Sequence, residues 1–213
     1  DSNKEEIDRI IGYLSPHQYI KKLKEIINGE NTIADLVLKY EKEKSPTILS
    51  LLGQKYYQKG EYSKAKAIYQ ELINIFPTAD KNILTEVNFQ LASIEYYNDS
   101  IGELEQYIYE YPNSDFTQKA LSMMIRYYKS KEDIDNEIKM HNKAVFLFSN
   151  DPNILNSYAW RMTELDMNLN DALIKSKKAI KLSKDSPITT QANIIDTKAE
   201  VEWKLGKVDD AIL

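Results

Sequence analysis

Two histidines, His17 and His141, are the residues of this chain best suited to acid–base or metal chemistry. Neither stands in a recognisable nucleophile or metal-binding motif, and a zinc site requires several ligands that converge on one ion. The sequence contains no cysteine, which excludes thiolate nucleophiles, disulfides and cysteine-based zinc sites. We therefore interpret both histidines as surface or packing residues, and we expect no catalytic residue, cofactor or metal.

Carboxylates are abundant, and Asp133, Asp135 and Glu137 stand close together in one predicted helix. Carboxylates on a helix usually form a solvated face rather than an acid–base pair, and we interpret these three in that way. The sequence has no glycine-rich loop of the kind that binds phosphate. These observations predict that the chain is not an enzyme.

The composition excludes two further classes of partner. The formal net charge is −5, with lysine and glutamate interspersed, and no basic stripe is present to bind nucleic acid. No apolar run reaches the roughly 18 residues that a membrane span requires. Because the sequence opens on Asp1 rather than Met, we interpret it as a piece of a longer protein.

The stretch from Pro46 to Ala79 contains two amphipathic helices joined at Gly60. Counting from Pro46 places Gly53 at the eighth position, Gly60 at the fifteenth, Ala65 at the twentieth and Pro77 at the thirty-second. This spacing of small residues resembles the tetratricopeptide repeat (TPR), a helix–turn–helix unit of about 34 residues. The resemblance implies close packing of the two helices and a surface that binds other proteins.

The same pattern recurs with drift further along the chain. Met124 and Ala159 are 35 residues apart, as are Ala144 and Ala179. The resemblance therefore predicts an all-α fold, a right-handed α-α superhelix (TPR-like solenoid), over residues 45–213 with the last repeat incomplete. An irregular helical bundle, which would keep the helices but lose the register, is the alternative.

Three dipeptides are predicted to begin helices of the repeats. Ser45-Pro46, Asp151-Pro152 and Ser186-Pro187 each place a capping residue before a proline. Proline is favoured in the first turn because the amide hydrogen that it lacks would have no partner there.

Residues 1–44 do not follow the repeat pattern. The run from Glu6 to Leu14 alternates polar and apolar residues and predicts a strand. Ser15-Pro16 then predicts a helix, with Tyr19 and Leu23 on its apolar side, and Thr32 could cap another.

This order resembles the last strand and helix of a bacterial thioredoxin-like domain. The resemblance implies that the chain is the C-terminal part of a larger thioredoxin-like protein, and it favours a periplasmic or exported location. The chain lacks the Cys-x-x-Cys turn that such redox chemistry needs. The alternative is an N-terminal helix or hairpin that caps the first repeat.

The TPR resemblance also implies a concave face lined by the first helices of the repeats. Aromatic residues at these positions could anchor a partner, or they could pack between repeats. Polar residues there could pair with an extended peptide backbone. The candidate face consists of Ser50, Gln54, Tyr57, Phe89, Tyr96, Tyr128, Asn156, Trp160, Asp196 and Trp203.

The sequence thus predicts a non-catalytic module that binds a protein or an extended peptide. A structural spacer or dimerisation arm without a peptide ligand is the alternative, and it would make the partner a second copy of the chain.

Overall fold

The computed structural model describes residues 6–212, and all regular secondary structure within them is α-helical. No strand forms in this part of the chain. The described residues contain twelve helices: α1 (Pro16–Ile27), α2 (Ile33–Lys42), α3 (Pro46–Lys59), α4 (Tyr62–Ile75), α5 (Lys81–Tyr97), α6 (Gly102–Glu110), α7 (Thr117–Ser130), α8 (Ile134–Leu147), α9 (Pro152–Leu165), α10 (Leu169–Leu182), α11 (Ile188–Lys204) and α12 (Val208–Ile212).

The helices form two compact units, one ending at Phe116 and the other beginning at Thr117. In unit 1, α3 packs on α4 and α5 packs on α6, while α2 packs on α3. In unit 2, α7 pairs with α8, α9 with α10 and α11 with α12. These adjacent pairs confirm the predicted all-α fold class. The division of the sequence into residues 1–44 and 45–213 stays a prediction. Helix α2, which belongs to the first of these ranges, lies in unit 1 together with the first repeats.

Two of the three predicted helix starts are confirmed. The side chains of Ser45 and Asp151 accept hydrogen bonds from backbone amides in the first turns of α3 and α9. The third prediction is wrong, because α11 begins only after Pro187 and Ser186 does not cap it. Instead, Nε2 of Gln191, in the first turn of α11, donates to the carbonyl of Ser186 at 2.9 Å.

The strand expected from Glu6 to Leu14 is also wrong for the described residues. This segment is extended but irregular, and it bends at Gly12, whose φ of +82° lies in the left-handed region that favours glycine. A strand needs a neighbouring strand to satisfy its amides, and the described chain offers none. Helix α1 follows, begun by a capping box between Ser15 and Gln18.

Small residues allow the helix pairs to approach closely, as the repeat spacing predicts. Ala65 in unit 1 and Ala159 and Ala179 in unit 2 are completely buried. In unit 1, the Tyr69 ring of α4 lies directly against Gly53 of α3. A Cβ atom at Gly53 would lie 2.4 Å from Cε1 of Tyr69, well inside van der Waals contact.

Substitution of Gly53 by Ala is therefore expected to lower the free energy of unfolding by about 1–3 kcal/mol, because the methyl group overpacks the contact between α3 and α4. Urea denaturation measures the change. Gly102→Ala is the matched control, since nothing lies within 4 Å of a Cβ at that position. Equal stability of the two variants would show that the Tyr69 ring moves aside without cost.

Candidate protein-binding face

The candidate residues of α3 share one side of the helix. Ser50, Gln54 and Tyr57 are spaced four and three residues apart, so their side chains point in one direction, and all three are half-buried. The Tyr57 ring meets Tyr62 edge-on at 5.4 Å between centroids and lies 6.4 Å from Tyr97. Burial raises the pKa of the Tyr57 hydroxyl. Tyr57 therefore belongs to an aromatic cluster within unit 1.

Phe89 is a core residue, which corrects its assignment to an open face. Its ring stacks on Phe116 at 5.0 Å and lies 5.6 Å from Tyr107, and only 7% of the residue is exposed. The segment after α6 brings Phe116 over α5 and closes this site. Tyr96 is half-buried and meets Tyr97 edge-on at 5.6 Å. In unit 1, the aromatic candidates thus pack within the protein.

A polar cavity of about 330 Å³ lies between α4, α5 and α6 of unit 1. Several of its polar lining groups pair with one another. Lys66 contacts Glu95 at 2.5 Å, and Nδ2 of Asn88 donates to the Tyr111 hydroxyl at 3.0 Å. These groups are engaged inside the protein, so we do not place the candidate site here.

The first helices of the repeats in unit 2 lie side by side. Side chains bridge α7 to α9 near both their beginnings and their ends, so these two helices run parallel, and α11 packs on α9 with a bridge at their C-terminal ends. The bridges are Gln118 Nε2 to Asp151 Oδ2 at 3.3 Å, Lys129 Nζ to Glu164 Oε2 at 3.5 Å, and Lys204 Nζ to Asp166 Oδ1 at 3.9 Å. We call the exposed sides of α7, α9 and α11 the first-helix face of unit 2.

The two tryptophans of the chain are both exposed on this face. Trp160 of α9 is 42% exposed and Trp203 of α11 is 57% exposed. Trp160 continues an exposed stripe of α9 that contains Asn153 and Ser157. Such large apolar side chains favour contact with another molecule over water.

Asn156 lies beside this stripe on α9 and is half-buried. Its Oδ1 atom is buried and has no hydrogen-bond partner within the described part of the chain. A buried oxygen without a partner is unfavourable, which favours a change of the Asn156 side chain that lets this oxygen meet a donor. Asp196 of α11 is exposed, whereas Tyr128 of α7 is half-buried and meets Tyr127 edge-on at 5.6 Å.

A buried ion pair joins α9 to α8. Glu137 of α8 is buried, which corrects the expectation that it belongs to a solvated face. Its carboxylate accepts two hydrogen bonds from Arg161, from Nε at 2.7 Å and from Nη2 at 2.9 Å. Nη1 of Arg161 reaches Glu164 at 2.9 Å. This pairing fixes the helix turn that carries Trp160.

His141 completes this cluster, one helical turn after Glu137. Its Nε2 atom lies 3.8 Å from Oε1 of Glu137, and its ring meets Tyr158 edge-on. Burial lowers the pKa of His141, and the Glu137 carboxylate only partly opposes that effect. Of the two roles that we predicted for His141, surface or packing, its burial fits the packing role. The four-residue spacing of Glu137 and His141, which makes them neighbours on one side of a helix, is the signal in the sequence that could have indicated this pair.

Two classes of site receive no support from the described residues. Their histidines and carboxylates form no group of three or more that could hold a metal ion. No helix among them is long and apolar enough to cross a bilayer.

Comparison with known proteins identifies the fold. No protein-family model matches the chain, and no curated protein matches it. Among solved structures, the MamA RS-1 ArsTM double mutant matches 80% of this chain and 95% of its own, at 18% identity and a TM-score of 0.54. BtubC (BKLC) from P. vanneervenii matches 84% of this chain and 82% of its own, at 13% identity and a TM-score of 0.53.

The fold of this chain is TPR-like. Its adjacent helix pairs match those of TPR-containing structures. At these identities the likeness concerns the fold alone, so the binding role depends on the chain's own residues.

Proposed function

We propose that the chain is a non-catalytic protein-binding module, and that it takes an extended segment of a partner protein on the first-helix face of unit 2. The observation that carries the proposal is the exposure of both tryptophans on neighbouring helices of unit 2. Tryptophan is among the residues that contribute most to protein–protein binding, because its large ring loses much water contact at little entropic cost.

Asn156 supplies the polar part of the proposed site. An extended peptide presents backbone amides that are free of internal hydrogen bonds, and such an amide would donate to the Oδ1 atom of Asn156 once this half-buried side chain turns outward. The asparagine side chain can also donate to a peptide carbonyl. The aromatic rings would then provide most of the affinity, while Asn156 would fix the register of the peptide.

The first experiment is affinity capture from a lysate of the source cells. The native chain is compared with a Trp160→Ala, Trp203→Ala double variant and with Phe146→Ala. Phe146 of α8 is 81% exposed but lies on a second helix of a repeat, so its removal deletes an exposed ring elsewhere. We expect the double variant to lose its captured protein by about tenfold or more, and the Phe146 variant to retain it.

Circular dichroism first shows that all three baits fold equally. A partner captured equally by all baits would contradict the role of the tryptophans. Capture of only further copies of the chain would favour the dimerisation arm, since the exposed tryptophans of two copies can also pack against each other.

We also propose that the chain is the C-terminal part of a larger thioredoxin-like protein. Helix α1 supports this idea, because it buries none of its residues and packs closely on no other described helix. Tyr19, Ile20 and Ile27 remain exposed on it, as expected for a helix that packs on another domain. The coding sequence upstream of Asp1 tests the proposal: a Cys-x-x-Cys motif there would support it, and its absence would refute it.

A further inference from the structure

The N-terminal strap, residues 6–11, lies on α3 of unit 1 as an extended peptide. Asp8 forms an ion pair with Lys55 of α3, and the two side chains are only 3% and 6% exposed. Nη1 of Arg9 donates to the backbone carbonyl of Gln58 at 3.1 Å. Asp8 thus inserts its carboxylate beside Lys55, and the next residue, Arg9, contacts the backbone of α3.

The surface beneath the strap is suited to an acidic segment. Lys55 is buried on α3, and burial lowers its pKa while the Asp8 carboxylate opposes that effect. Lys22 adds positive charge near Lys55, and Lys59 adds positive charge near Glu6. An amine covered without a counter-ion is strongly unfavourable, so a segment that covers Lys55 must present a carboxylate to it.

The strap itself is held at few points. It has no regular secondary structure, and Ile7 and Ile11 are exposed. The other nitrogens of Arg9 pair with Glu6 inside the strap, at 2.5 and 2.6 Å, rather than with α3. A segment attached mainly through Asp8 and Arg9 can detach without disturbing the helix pairs beneath it.

We propose that the α3 surface around Lys55 is a second peptide-binding site, which the strap occupies as a tethered ligand. The partner that fits it is an extended segment that presents a carboxylate followed by a basic residue. The inserted carboxylate pairs with Lys55, and the basic residue reaches the Gln58 carbonyl. The site lies in unit 1 and does not depend on the tryptophans of unit 2.

The test uses a fluorescent peptide with the sequence of residues 6–14, blocked at both ends. Its binding is measured by fluorescence anisotropy to the full native chain and to an Asp8→Ala, Arg9→Ala variant, in which the strap loses both anchors. We expect the variant to bind the peptide at least about tenfold more tightly, because the native strap occupies the site. A peptide with Asp8→Asn should not bind.

Adding Lys55→Met to the strap variant should abolish binding, since methionine keeps most of the length of the side chain but removes its charge. If the variant with all three substitutions fails to fold, the Asp8→Asn peptide still tests the pairing of the carboxylate with Lys55, because it leaves the protein unaltered. Equal binding to the native chain and the strap variant would overturn the proposal. Equal binding of the two peptides, or no binding to any protein, would also overturn it and leave the strap as a cap on α3.

Discussion

Replacement of Glu137 by Gln is expected to lower the free energy of unfolding by about 3–5 kcal/mol. Glu137 is 1% exposed and accepts both hydrogen bonds of a bidentate pair with Arg161. The amide that replaces it has nearly the same shape but carries no charge, and its NH₂ group would face the donors of the guanidinium. The cationic Arg161 would then be largely buried with only Glu164 as its counter-ion. Urea or thermal unfolding measures the loss.

Glu164→Gln is the matched control for this prediction. Glu164 contacts the same guanidinium, but its side chain is partly exposed, so we expect the loss to stay below about 1 kcal/mol. A double replacement of Glu137 and Arg161 by methionine should recover much of the stability, because it leaves no buried charge. Equal effects of Glu137→Gln and Glu164→Gln would contradict the buried ion pair.

Phe89→Ala is expected to lower the free energy of unfolding by about 3–5 kcal/mol. The substitution removes the ring that packs between Tyr107 and Phe116 and leaves a cavity in the core of unit 1. Thermal unfolding followed by circular dichroism measures the effect. Phe146→Ala, which removes an exposed ring of the same type, should change stability by no more than about 0.5 kcal/mol.

The outcome also separates the two interpretations of Phe89. If Phe89→Ala is as stable as Phe146→Ala, the ring lies on an accessible surface, and its place among the binding candidates is restored. A large loss of stability confirms that Phe89 packs within the repeats.

The helix pairs could be predicted from the sequence because their packing depends on local spacing. Gly53 and Ala65 recur at fixed positions, and only small side chains fit where two helices approach closely. The same holds for Ser45 and Asp151, whose side chains cap the helices that follow them. These features need no knowledge of distant residues.

The surroundings of the candidate residues could not be predicted in the same way. Phe89 is covered by Phe116, which lies 27 residues further on and follows no repeat position. Glu137 resembles its exposed neighbour Asp135 in sequence, and only Arg161 on the next helix explains its burial. The alternation from Glu6 to Leu14 suggested a strand, but a strand also depends on a partner elsewhere.

Site-specific photo-crosslinking would show whether a partner protein contacts the first-helix face of unit 2. A photoreactive phenylalanine analogue replaces Trp160 in one variant, Trp203 in a second and Phe146 in a third, and each is irradiated in the source cells. We expect a covalent adduct with the same partner protein at Trp160 and at Trp203, and none at Phe146. Adducts only at Phe146, or only between copies of this chain, would contradict a protein-binding site on the first-helix face of unit 2.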